Sequence, residues 1–315
     1  MLNYIVKRLL ALVPILLGLS LIVFLIMALI PGDPALAILG SYATPDSLAS
    51  LRVELGLDRS LPMQYFIWLG NIVHGEFGRS YSLNRPVLDE IVERFGATLI
   101  LSATAFILCT VWGVLAGIAS AARQHTWADR IVTISVLIGI SVPSFWLGLL
   151  LILLFAVHLQ WLPVSGMYEV YGGGGFFDLL RHLILPAVTL SVVATGVIAR
   201  LTRASMLEVL RQDYIRTARA KGVGEGSVIF RHAFKIALVN VVPVLGVQAG
   251  FVLGGAVYIE TVFQWPGIGQ MLVSAISTRD VLLIQGGVLV VAASYVFFNL
   301  LADVIQHVVD PRVGI

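Results

Sequence analysis

Six stretches of this chain, residues 9–30, 97–122, 131–157, 183–199, 236–259 and 281–302, contain no Asp, Glu, Lys, Arg or His. Each holds at least 17 residues, the lower limit for a helix that crosses the hydrocarbon of a bilayer. The first holds 22, about 33 Å of helix at 1.5 Å per residue. Lipid offers no partner to a free backbone amide, so such segments must be helical. The composition agrees, with 58% hydrophobic and 12% charged residues against roughly 45–50% and 25% in a soluble domain. The expected class is an all-α integral membrane protein with six transmembrane helices and lipid as its immediate surroundings. The first run ends in Ile30-Pro31-Gly32-Asp33-Pro34 and has no small-residue cleavage site, so it is expected to be a retained helix.

Six crossings put both termini on one side, and charge says which. The N-terminus, residues 122–130, residues 200–235 and the C-terminal tail hold 13 of the 20 Lys and Arg residues on the shorter share of loop. Of the 18 acidic residues, 12 lie in the opposite loops. Basic residues near membrane ends mark the cytoplasmic face, so both termini and the 200–235 segment are expected there. Three parts follow: residues 1–30 as tail and first span, 31–96 as an external segment with short helices, and 97–315 as a five-helix core containing the cytoplasmic segment. In 31–96, Thr44-Pro45-Asp46 reads as a helix start and Gly56 as its stop, and 61–73 is aromatic-rich. Val87, Leu88, Ile91, Val92 and Phe95 make a further apolar stripe, read as another short external helix. Pro143, Pro186 and Pro243 are candidate kinks.

Most of the inward-facing positive charge lies in residues 200–235. Asp213 to Ala220 reads as a short helix, Gly222, Gly224 and Gly226 as a stop and turn, and Ser227 as the cap of a second helix. An element standing off the membrane and tied to it at both ends suits a partner that must move the bundle.

Chemistry inside this chain is hard to find. A phosphate loop needs Lys followed by Ser or Thr behind spaced glycines, and Lys7, Lys221 and Lys235 have no such setting. The six histidines are scattered without metal-ligand spacing, so neither a catalytic residue nor a metal site is expected. Lone Cys109 forms no intrachain disulfide, and a net charge of +2 does not suggest nucleic acid. Energy must come from a partner or an ion gradient. An ion-coupled carrier usually keeps ionisable groups or broken helices near the midplane; these spans have no ionisable group, which argues against proton coupling more strongly than against sodium, which backbone carbonyls could bind.

Tyr214-Ile215-Arg216-Thr217-Ala218-Arg219-Ala220-Lys221-Gly222, with His232-Ala233-Phe234 ten residues after the glycine, resembles the coupling-loop motif of ATP-binding-cassette importer permeases of the dipeptide and oligopeptide group. Pro31 to Pro34, Leu55-Gly56-Leu57-Asp58, Ser205 to Leu210 and Glu260 to Gly269 match the group in the same order, so the likeness spans nearly the whole chain. Arg216 stands where the general importer motif has glutamate, a departure typical of peptide permeases. The resemblance implies a type I importer fold in a bacterial inner membrane and a second homologous permease. It also implies two cytoplasmic ATPases that bind ATP and Mg, an external binding protein, and no cofactor in this chain. Arg216, Thr217, Ala218, Arg219, Ala220, Lys221, Gly222 and His232 would form the ATPase-coupling site. Glu260, Phe263, Trp265, Pro266 and Gly267 would form an outer gate or platform; by physics alone, a loop with Trp265 at the headgroups is an equal alternative. Asn240 and Gln248 either line the path or bond neighbouring helices. Dipeptides or short oligopeptides are the first substrate class, with nickel complexes, glutathione and opines as relatives' alternatives.

Overall fold

The computed structural model describes residues 2–29, 34–40, 43–54, 56–171 and 173–309. Ile30, Pro31, Gly32, Asp33 and Leu55, on which part of the sequence reading falls, lie outside them. Among the described residues the regular secondary structure is helical apart from one two-stranded hairpin, β1 (Arg79–Ser80) with β2 (Arg85–Pro86). Among the described residues, five helices are long and apolar enough to cross a membrane, and six if one bent pair counts as a single span.

The chain divides into two compact units, residues 1–97 with 267–294, and 98–266 with 295–315. The first holds α1 (Leu2–Leu29), α2 (Pro34–Leu39), α3 (Pro45–Glu54) and α4 (Leu61–Val73). Thr44 accepts the Ser47 amide at 3.2 Å, and Gly56 stops α3 at φ +68°, as the sequence predicts. The aromatic stretch packs on the first span: Tyr65 lies edge-on to Phe24 at 5.5 Å and its hydroxyl bonds Ser20 at 2.9 Å.

The stripe from Val87 to Phe95 is not a separate external helix, contrary to expectation. It opens α5 (Val87–Ala122), continuous with the second span. Charges at this end are neutralised locally: Glu90, with a 1% exposed side chain, accepts Arg94 Nε at 2.6 Å and Arg85 Nη1 at 2.7 Å. Val87 and Ile91 then pack with Ile268, Met271 and Leu272 of α12 (Ile268–Thr278) and Leu283 of α13 (Val281–Val309). Asp280 caps α13 through the Leu283 amide and accepts the hydroxyls of Ser80 at 2.5 Å and Ser82 at 2.8 Å. Between those serines, burial and then the Asp280 carboxylate push the Tyr81 phenol up to about 12.

In the second unit, α8 (Phe176–Leu210) is the central helix. Its apolar positions are hidden on most sides, and α6 (Trp127–Ser141), α7 (Ser144–Leu151) and α11 (Phe234–Phe263) pack around it. Small residues set the closest approach: a Cβ at Gly117 would fall 2.6 Å from Thr202 Cβ, and one at Gly113 2.8 Å from Ile198 Cβ. The Gly113/Gly117 pair therefore serves packing within this chain. Residues 131–157 do not form one straight span. Val142 and Pro143 are extended, and the helix axes meet there at 106° before α7 runs on as a π-helical stretch, Ile152–His158. Pro186 and Pro243 sit inside continuous helices.

Candidate coupling site

The short helix expected on the cytoplasmic side is present as α9 (Asp213–Ala220), with Asp213 in its first turn and Arg219 in its last, the placement a helix dipole favours. Gln212 is extended and leads the chain off the end of α8. Only Ile215 is fully buried on α9. It enters an apolar socket made by Ile118 and Ala121 of α5, Met206 and Val209 of α8, and Val228, Ala233 and Ala237 beyond the turn. Around that foot, Tyr214, Arg216, Thr217, Ala220, Lys221 and Gly222 are exposed and Ala218 is half-buried. The result is a helix seated by one branched apolar side chain, with its polar face outward.

Gly222 reverses the chain at φ +78°, where its amide bonds Arg219 O at 2.9 Å. Nothing lies within 4 Å of a Cβ placed there, so conformation alone demands glycine. The next helix begins earlier than the sequence suggests. Gly224 precedes α10 (Glu225–Ser227), and Ser227 is already helical at φ −69°, ψ −36°, so it does not cap. A π-helical stretch, Val228–Ala233, carries half-buried His232 into α11.

The charged residues of this site differ in their freedom. Arg219 donates through Nη2 to Glu225 Oε1 at 2.5 Å and through Nε to Oε2 at 3.0 Å, a fork that ties the end of α9 to the start of α10. That carboxylate raises the Arg219 guanidinium above its ordinary value, which leaves its charge at neutral pH unchanged. Arg216 makes a looser contact of 3.3 Å with Asp213, and both are well exposed. By sequence alone, Arg216, Arg219 and Lys221 are equivalent contacts for a partner. Arg219 is already committed within the chain.

The other sequence-selected residues do not join this site. On α11, Asn240 is exposed whereas Gln248 is buried. A cavity of about 400 Å³ lies between α5, α11 and α13, lined by Leu99, Ser102, Phe106, Leu245, Ala249 and Phe298 among others. Neither Asn240 nor Gln248 is among its lining residues. Glu260 is fully buried and accepts Thr98 Oγ1 at 2.6 Å. Phe263 and Trp265 are buried, Pro266 is half-buried and Gly267 is buried. The Trp265 amide turns back onto Glu260 O at 2.8 Å, and left-handed Gln264 ends α11. A loop that holds Trp265 at the headgroups is thus set aside, because its side chain has no exposed surface. The sequence reading missed Asp129 and Arg203, an ion pair joined by Ser120. Their only advance signal is that Asp129 is the sole acidic residue in its inward-facing loop.

Residues 113–315 match the family described as the binding-protein-dependent transport system inner membrane component, and residues 1–102 match its N-terminal counterpart. The dipeptide transport system permease protein DppB of Alkalihalophilus pseudofirmus is 42% identical, with 99% of each chain covered. The glutathione transport system permease protein GsiC of Escherichia coli shows the same identity and coverage. The fold is similar to that in inward-facing structures of the MetNI methionine ABC transporter, at TM-score 0.55 and 17% identity, over 70% of this chain and 95% of that one. These matches decide against an ion-coupled carrier. The chain belongs to the binding-protein-dependent inner-membrane permeases of ABC importers, within the dipeptide and oligopeptide group.

Proposed function

We propose that this chain is one half of the membrane pore of an importer, working with a second homologous permease, two cytoplasmic ATPases that bind ATP and Mg, and an external binding protein. The observation that carries the proposal is the seating of α9: Ile215 sits in a socket built from three long helices while Arg216, Thr217 and Lys221 face outward. Helix-in-groove docking uses such an element, and a push on it reaches α5, α8 and α11 together. ATP-driven closure of the ATPases would then rock the bundle between outward- and inward-open states.

Dipeptides or short oligopeptides are the proposed substrates. Relatives named for dipeptide and for glutathione are equally similar, so glutathione stands beside them, with nickel complexes and opines as the further alternatives. Ligand binding by the external protein that co-purifies with this chain separates these. For coupling, Gly222→Pro is the test, because proline holds φ near about −65° and the turn needs a positive value. The variant is expected to insert and yet to lose substrate-stimulated ATP hydrolysis in the assembled complex. Undiminished uptake would contradict the assignment.

A further inference from the structure

We infer that the cluster of buried Ser120 and Asp129 with half-buried Arg203 is the joint that makes α6 move with the coupling helix, so that Asp129 and Arg203 are positioning residues for coupling. The inference rests on the reading of α9 as the ATPase dock and adds where the motion goes next. Arg203 of α8 grips Asp129 of α6 with both ends of its fork, Nε to Oδ1 at 2.9 Å and Nη2 to Oδ2 at 3.0 Å. Ser120 of α5 donates to the same Oδ1 and accepts Arg203 Nε at 2.9 Å. The His125 amide donates to Oδ2 at 3.0 Å. The Asp129 side chain is 7% exposed, so three helices meet at one carboxylate that is largely withdrawn from water.

Position gives the cluster its consequence. Ser120 lies between Ile118 and Ala121, and Arg203 one turn before Met206, and those residues wall the socket of Ile215. Among the described residues, that apolar socket draws on α5, α8, α9 and the chain that follows, but on no residue of α6. Asp129 supplies the missing attachment at the first turn of α6, where Thr126 caps the helix. Further along, Gly139 and Gly196 bring α6 and α8 into close contact, and α6 then ends at the 106° bend. A displacement of the socket therefore reaches α6, and the bend beyond it, through a bidentate charge pair. Such a pair fixes direction as well as distance, which apolar packing does not.

The test uses the complex assembled with its ATPases, with spin labels at Gln212→Cys, where α9 begins, and Ile134→Cys on α6, both exposed positions. Electron–electron dipolar spectroscopy reads their separation without nucleotide and with ATP plus vanadate, so no transport substrate is needed. The parent is expected to keep one separation in both states. Asp129→Asn is expected to bind and hydrolyse ATP but to show a shift in that separation when ATP is added, and Arg203→Lys a smaller shift. An ATP-independent separation in Asp129→Asn would overturn the inference. So would failure of both variants to assemble, which would make the cluster a support for folding alone. Failure of the docking reading itself would appear separately, as a parent complex to which the ATPases do not bind.

Discussion

Two segments carry family-like motifs at opposite ends of α11, and the structure treats them in opposite ways. Residues 213–222 present polar side chains to the outside on a single buried apolar foot. Residues 260–267 turn an acid and two aromatic rings inward, with Glu260 and Trp265 fully buried. The first arrangement has the physics of a handle, since what a partner needs remains exposed. The second has the physics of a joint: Glu260 bonds Thr98 of α5, and Phe263 O accepts the Gly166 amide, holding the loop after α7. Motif likeness alone does not separate these roles. Burial does.

The largest expected effect is at the foot of the handle. Ile215→Ala empties the socket at a cost of about 2–5 kcal/mol, so α9 should undock while the spans remain inserted. Loss of co-purifying ATPase with unchanged membrane yield checks this. Next comes the joint, where Glu260→Gln perturbs a buried hydrogen bond at a cost of about 1–3 kcal/mol. Here the expected outcome is reversed, with a lower thermal transition of the detergent-solubilised protein and normal ATPase capture. If Glu260→Gln instead abolished ATPase capture and left stability alone, the contrast between the two segments would fail. The smallest effect is at Arg219, whose pair with Glu225 is exposed on both sides. Arg219→Ala should cost less than about 1 kcal/mol and be further weakened by salt. A modest loss of stimulated ATP hydrolysis, larger at high ionic strength in the parent than in the variant, is the expected reading.

The sequence made the spans legible because lipid permits only helices where charge is absent, and among the described residues the apolar runs are helical except at the Val142-Pro143 break. It misplaced the start of α5 by ten residues, since Asp89, Glu90, Glu93 and Arg94 look like loop charges until Glu90 is seen buried between two arginines. Pro143, Pro186 and Pro243 are equivalent as letters, yet only Pro143 breaks its helix, whereas Pro186 lies buried in α8 among packed neighbours. α9 and its glycine turn were readable because the signals are local. Arg203 and Asp129 are 74 positions apart, and no pattern in either neighbourhood announces their contact.

Thiol labelling at Ala220→Cys addresses the handle most directly, because Ala220 is exposed and the native Cys109 is fully buried and silent. With a membrane-impermeant reagent, no labelling is expected from outside intact cells. Inverted vesicles stripped of the ATPases should label readily, and rebinding the ATPases should protect the thiol. Labelling from outside, or equal labelling with and without bound ATPases, would contradict a cytoplasmic coupling helix.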